Sequence, residues 1–210
     1  MQRGKFITLE GTEGAGKTTV LNFIREYLHH AAIHAVWTRE PGGTPLAERI
    51  RDFILHTQDT EAIDAETELL MVFAARAQHL QHTILPALET GKWVVCDRFV
   101  DASYAYQGGG RKIDENKIHL LDEWIVGKNY PDLTLLLDIS PEQGFKRTAS
   151  RVDGKDRIEQ ERLDFFERVR NAYLLRAQQN PERIKIIDAS QSLAEVEKNI
   201  RLILDDFLKR

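Results

Sequence analysis

A chain of 210 residues, 42 % hydrophobic and 30 % charged, can bury one sizeable core, and residues 1–210 read as a single domain. Its net charge of −4 argues against broad attraction to nucleic acid or to an anionic membrane, so any polyanion must meet cations gathered locally. A lone cysteine, Cys96, excludes an intrachain disulfide and a cysteine-clustered zinc site and suits the reducing cytoplasm.

Strand-like runs near 5–9, 33–38, 92–97, 132–138 and 183–188 alternate with helix-like stretches near 17–30, 45–56, 65–89, 114–126, 141–150, 159–179 and 192–209. That alternation predicts an α/β fold, a five-stranded parallel sheet flanked by helices on both faces. Met1 to Lys5 lead into a run too short for a signal-peptide core, and apolar stretches such as Leu69 to Ala75 are too short to cross a bilayer. Pro86 should kink or end its helix, and residues 98–112 and 150–158 read as irregular.

The first strand runs directly into Gly11-Thr12-Glu13-Gly14-Ala15-Gly16-Lys17-Thr18-Thr19, a phosphate-binding loop opening a helix. Glycines let backbone N–H groups fold around phosphate oxygens, Lys17 adds a charge near the β and γ phosphates, and the Thr18 hydroxyl can face Mg²⁺. The motif commits the chain to the P-loop NTPase class and to a nucleoside triphosphate such as ATP.

After the second strand comes Thr38-Arg39-Glu40-Pro41-Gly42-Gly43, followed by Arg49 and Arg51 on the next helix. Arg76 interrupts an otherwise apolar helix that includes Leu69, Leu70, Val72 and Phe73, and a desolvated guanidinium requires an anionic or planar partner. That partner is either a ligand or one of Glu40, Glu66 and Glu68. The helix also offers Leu69, Leu70 and Phe73 as a face for a second copy, although core packing explains the same periodicity. Three apolar runs end in aspartate, at Asp97, Asp138 and Asp188, and one of these should sit beside the metal; sequence alone does not choose. Arg98 follows Asp97 directly. The segment 147–158, with Arg147, Arg151, Lys155 and Arg157, reads as a mobile lid that closes cations over the triphosphate. The histidines, His79 included, show no metal-ligand spacing and are expected at the surface or at helix ends.

So many arginines beside a phosphate loop point to a second anionic site. An acceptor that is itself a phosphate has a second pKa of roughly 6 and attacks without a general base. Catalysis then reduces to holding two repelling anions in line while charge on the moving phosphoryl group is neutralised.

With Thr38 to Gly43, Ala74-Ala75-Arg76, Asp97-Arg98-Phe99, Ala105-Tyr106-Gln107-Gly108-Gly109 and Asp156-Arg157-Ile158-Glu159 in order behind the phosphate loop, the chain resembles the bacterial thymidylate kinase family along nearly its whole length. The resemblance implies transfer of the γ-phosphoryl group of ATP to dTMP with Mg²⁺, usually by a homodimer. It implies that Glu13 meets the deoxyribose 3′-hydroxyl, that Arg39, Arg51 and Arg98 bind the dTMP phosphate, and that Arg76 contacts the thymine edge. Ser103 and Gln107 would lie near the ring, Tyr106 against the sugar, Asp97 with Thr18 at Mg²⁺, and Arg147 with the turn at 188–190 near adenine. The loop carries no extra cation, so the lid supplies it: Arg151 nearest the transferred phosphoryl, Arg157 close behind. One departure stands out: where relatives carry a phenylalanine that stacks on thymine this chain has Val72, so Val72 and the adjacent Phe73 are both candidates to bind the substrate, although Phe73 points about 100° away around a regular helix. Two other readings are a deoxynucleoside kinase with Glu13 or Glu40 as base, and a non-catalytic ATP-binding module.

Overall fold

The computed structural model describes residues 3–56, 62–148 and 156–209. Five strands, β1 (Phe6–Gly11), β2 (Ala35–Arg39), β3 (Trp93–Asp97), β4 (Leu133–Asp138) and β5 (Ile184–Asp188), form one parallel sheet in the order β2-β3-β1-β4-β5. β1 lies at its centre, paired with β3 from Phe6↔Val94 to Leu9↔Asp97 and with β4 from Ile7↔Leu133 to Gly11↔Leu137. Strands buried on both faces read as continuous apolar runs, which is why β1, β3 and β4 are legible within a residue or two of their expected bounds.

Helices α1 (Lys17–His30) and α9 (Leu193–Leu208) cover one face of the sheet, where Val20, Ile24, Leu28, Ile200 and Leu204 pack on Ile7, Leu9 and Leu135. On the other face, α3 (Ala65–His79) and its continuation pack Leu69, Phe73, Leu80 and Ile84 against Phe6, Val94 and Cys96. α2 (Pro45–His56) packs on α3, and α5 (Val100–Ser103), α6 (Glu115–Ile125), α7 (Pro141–Thr148) and α8 (Leu163–Gln179) complete that side.

The expected single helix over 65–89 is three pieces: α3, a π-helical turn at Leu80–Ile84, and α4 (Leu85–Glu89). Pro86 supplies no amide hydrogen and its ring crowds the turn before it; the widened turn, with Leu85 N–H bonded to Leu80 O, lets the axis run on instead of ending. Residues 98–112 are also more regular than expected, since α5 passes into a π-helical stretch at Tyr104–Gly110. Its glycines permit close approach to α8: a Cβ on Gly110 would meet the Phe165 ring at 2.5 Å. α8 begins at Leu163, four residues later than expected, because 156–162 form turns in which Asp156 Oδ1 accepts from the amides of Ile158 and Glu159.

Candidate active site

At the carboxyl end of β1 the chain leaves the sheet through Gly11 (φ 142°) and enters α1 through Gly16 (φ 91°), left-handed conformations that glycine adopts without strain. Gly14 packs on α7 so tightly that a Cβ there would run into the Gly144 carbonyl. Lys17 is buried and donates to the carbonyls of Gly11 (3.2 Å) and Thr12 (3.3 Å), with Glu13 Oε2 4.0 Å away. Burial, and then Arg98, pull its pKa below the ordinary lysine value, although Glu13, Asp97 and Glu10 oppose them. Thr18 lines the cleft with Glu13, Gly14, Gly16 and Lys17, whereas Thr19 is exposed outside its lining.

The three strand-end aspartates separate in the fold. Asp138 is held by Arg170 at 2.6 and 2.8 Å, and Asp188 caps its own turn through Ser190 and Gln191. Asp97 alone of the three lines the cleft, and its buried Oδ1 has no hydrogen-bond partner among the described residues. A buried oxygen without a donor, in a cleft that Thr18 also lines, fits a hard cation completed by phosphate oxygens and water. Among the described residues no three His, Cys, Asp or Glu side chains gather as a metal cage, consistent with such a sparse site.

Arg98 adopts a left-handed backbone (φ 66°) that turns the chain sharply after β3 and sends its side chain back across the cleft. Nη2 donates to Glu13 Oε1 (2.6 Å) and to the Tyr106 hydroxyl (3.0 Å), and Tyr106 also donates to Glu13 (3.0 Å). Nε is buried and unpartnered among the described residues. Burial disfavours the Arg98 charge, but Glu13, Tyr106 and Asp97 outweigh it and hold the guanidinium protonated. Arg51 also faces the cleft, held by the Pro41 carbonyl at 3.0 Å; burial, then Arg39 and Arg98, pull its pKa down, as in a cluster of like charges.

Deeper in the cleft, Arg76 is 1 % exposed and each of its three nitrogens has a partner: Nε on Glu40 Oε2 (2.7 Å), Nη1 on Ser103 Oγ (3.0 Å), Nη2 on the Phe99 carbonyl (3.2 Å), which leaves one N–H on each Nη. Of the sequence alternatives for its partner, the ion pair is met by Glu40, and the paired guanidinium lines the pocket. Glu40 in turn meets His79 Nδ1 at 2.9 Å, and His79 Nε2 meets Thr38 Oγ1 at 2.7 Å. His79 does end α3 as expected but is wholly buried, because Glu40 and Thr38 satisfy both ring nitrogens.

Several expected site residues are not delivered to the cleft. Phe73 lies in the core with its ring 4.5 Å from the Arg76 guanidinium, while Val72 faces the pocket, as the helical angle requires. Arg39 is half exposed and paired with Glu48 at 2.8 Å, outside the lining. Arg157 is drawn to Glu68, with Nε on the Ile54 carbonyl at 2.8 Å, so it anchors the turn after 149–155 and does not point at the phosphate loop. Arg147 does meet the 188–190 turn, at Ala189 O, 3.0 Å. Arg151 lies outside the described residues. Sequence reasoning did not place Glu68 in the pocket wall, yet Glu68, Val72 and Arg76 fall at i, i+4 and i+8 on one helix face, a spacing that could have revealed it.

A phosphate loop at the end of a central parallel strand, opening onto a cleft that Arg51, Arg76 and Arg98 also line, defines a P-loop phosphotransferase. Comparison with known proteins narrows the class. The family model for thymidylate kinase matches residues 9–200. The chain is 54 % identical over 204 residues to a thymidylate kinase of Vesicomyosocius okutanii subsp. Calyptogena okutanii, covering 97 % of this chain and 98 % of that one. It is 55 % identical over 196 residues to one of Alkalilimnicola ehrlichii, covering 93 % and 90 %. The crystal structure of thymidylate kinase from Ehrlichia chaffeensis superposes with a TM-score of 0.78 at 32 % identity, over 97 % of this chain and 99 % of that one. The chain belongs to the thymidylate kinase family.

Proposed function

We infer that the chain moves the γ-phosphoryl group of ATP to dTMP, giving ADP and dTDP, in the cleft between the phosphate loop and α3. Neighbouring orphaned groups of opposite chemistry carry this reading: among the described residues Asp97 Oδ1 lacks a donor and Arg98 Nε lacks an acceptor, and both residues line the cleft that runs from the phosphate loop to α3. Loop amides and Lys17 bind the triphosphate, Arg51 and Arg98 bind the acceptor phosphate, and Arg76 with Ser103 and Gln107 reads the base. Glu13 and Tyr106, hydrogen-bonded to each other, take the sugar. Thr18 and Asp97 would hold Mg²⁺, which when bound neutralises charge on the phosphate oxygens. Because the acceptor is already an anion, the protein need supply no base; its work is alignment and charge.

Cations of the lid over 147–158 would complete the site. Arg151 is the proposed residue near the moving phosphoryl group, and Arg151→Ala should lower turnover sharply while leaving dTMP affinity unchanged. A homodimer is supported by exposed Leu70 on α3 and by Leu120 and Trp124 four residues apart on α6; Leu69 and Phe73 are withdrawn from that face because both are core. No helix among the described residues is long and apolar enough to cross a membrane, and the single buried thiol fits a cytoplasmic enzyme.

A coupled ADP-release assay across dTMP, dUMP, dCMP, AMP, GMP and thymidine tests the assignment. dTMP should be turned over fastest. Preference for thymidine would instead indicate a nucleoside kinase, and tight ATP binding without turnover of any acceptor a binding module.

A further inference from the structure

Glu68 is a carboxylate 1 % exposed, in the first turn of α3, that the reaction just described does not use. Arg111 Nε bridges both its oxygens at 3.3 Å, Arg157 bonds Oε2, and Gln107 Nε2 donates to Oε1 at 2.8 Å. Burial pushes the Glu68 pKa up, but Arg111, then Arg157 and Gln107, outweigh it and leave it below the usual carboxylate value. An ionised carboxylate only accepts hydrogen bonds, so the Gln107 amide must turn its NH₂ toward Glu68. Its Oε1 then receives no hydrogen bond from any described residue, and Gln107 lines the pocket beside Arg76 and Ser103.

We propose that Glu68 is a positioning residue that sets the polarity of base recognition by locking Gln107 with its oxygen toward the ligand. Resting on the assignment of the base pocket above, the wall then offers a donor from Arg76 and an acceptor from Gln107. A 4-keto pyrimidine presents the complement, an O4 acceptor next to an N3–H donor. Cytosine presents the reverse, an amino donor next to a bare N3. Discrimination against the 4-amino base thus depends on a residue that need not touch it, and a buried polar mismatch of this kind rejects an analogue more strongly than a change of apolar shape.

Glu68→Gln keeps the size but introduces a donor, which frees Gln107 to rotate. Dissociation constants of dTMP and dCMP, measured calorimetrically on the full chain, should then show the preference for dTMP reduced about tenfold, roughly the effect of one misoriented hydrogen bond. Equal weakening of both nucleotides is what a merely structural role gives, and it overturns the proposal. Gln107→Leu leaves the ion pairs of Glu68 in place and covers the case in which Glu68→Gln does not fold: it should lose the same preference, and an unchanged ratio also overturns the proposal. In the double variant no further loss is expected, and an additive one counts against the coupling. Wild-type protein that fails to phosphorylate dTMP would sink the function itself, whereas selectivity retained in Glu68→Gln sinks only the role of Glu68.

Discussion

The two walls of the cleft meet opposite demands. On the phosphate-loop side, the partners of Lys17 among the described residues are two carbonyls of its own loop at 3.2 and 3.3 Å and Glu13 at 4.0 Å, weak partners that phosphate oxygens can replace. On the α3 side, Arg76 is held by a carboxylate, a hydroxyl and a carbonyl, its carboxylate is held by His79, and His79 by Thr38. The first arrangement keeps positive charge available to a group that moves during the reaction. The second fixes donor and acceptor directions for a base that does not move. Charge meant for a transition state is left loosely partnered, while charge meant for recognition is saturated from behind.

Removing Lys17 should break the first wall without touching the second. Lys17→Ala is expected to lower kcat by about 10³-fold, the scale of losing a preorganised electrostatic contact, with the dTMP dissociation constant changed less than about twofold. A matching loss of dTMP binding would mean the walls are not separable. Arg76→Met attacks the other side and leaves buried Glu40 Oε2 without its cation, with only His79 still on Oε1, which should cost about 3 kcal/mol in chemical denaturation. Adding Glu40→Gln should recover part of that loss, and no recovery would show that the ion pair is not what sustains this wall.

A third expectation concerns Glu10, which ties β1 to the start of α5 and to α8 by accepting from the Phe99 amide (2.7 Å) and the Tyr173 hydroxyl (2.6 Å). Burial, and then Asp101, push its carboxyl up to about 8 from an ordinary 4.5. The folded chain therefore holds this proton better than the unfolded chain. Its contribution is complete below the ordinary carboxylate pKa and is lost as pH rises through about 8, at up to about 1.4 kcal/mol per pH unit in between. Unfolding free energies at pH 5.5 and 7.5 should show this fall in the wild type and a flatter profile in Glu10→Gln. The smallest effect is expected at Arg39. Exposed and paired with Glu48, it should change the dTMP KM less than about threefold on truncation to alanine, against about tenfold or more for Arg51→Ala.

Much of the fold was readable because its signals are short-range. The strands are unbroken apolar runs, α1 starts where the phosphate loop ends, and the angle between Val72 and Phe73 follows from helical geometry alone, so the core position of Phe73 and the pocket position of Val72 agree with it. The π-helical turns were not readable, since a widened turn answers to Pro86 in one case and to packing against α8 in the other.

Residue order by itself determined the phosphate loop, because that site is made of successive backbone amides whose directions depend on local φ and ψ. Only the tertiary structure decided which aspartate stays free, as Arg170 and the Ser190 turn claim Asp138 and Asp188. It likewise decided that Glu48 draws Arg39 out of the cleft and that Glu68 holds Arg157 and Gln107 together from positions 89 and 39 residues away. A side-chain charge takes whichever partner the fold brings within about 3 Å, and that distance is set by elements far apart along the chain.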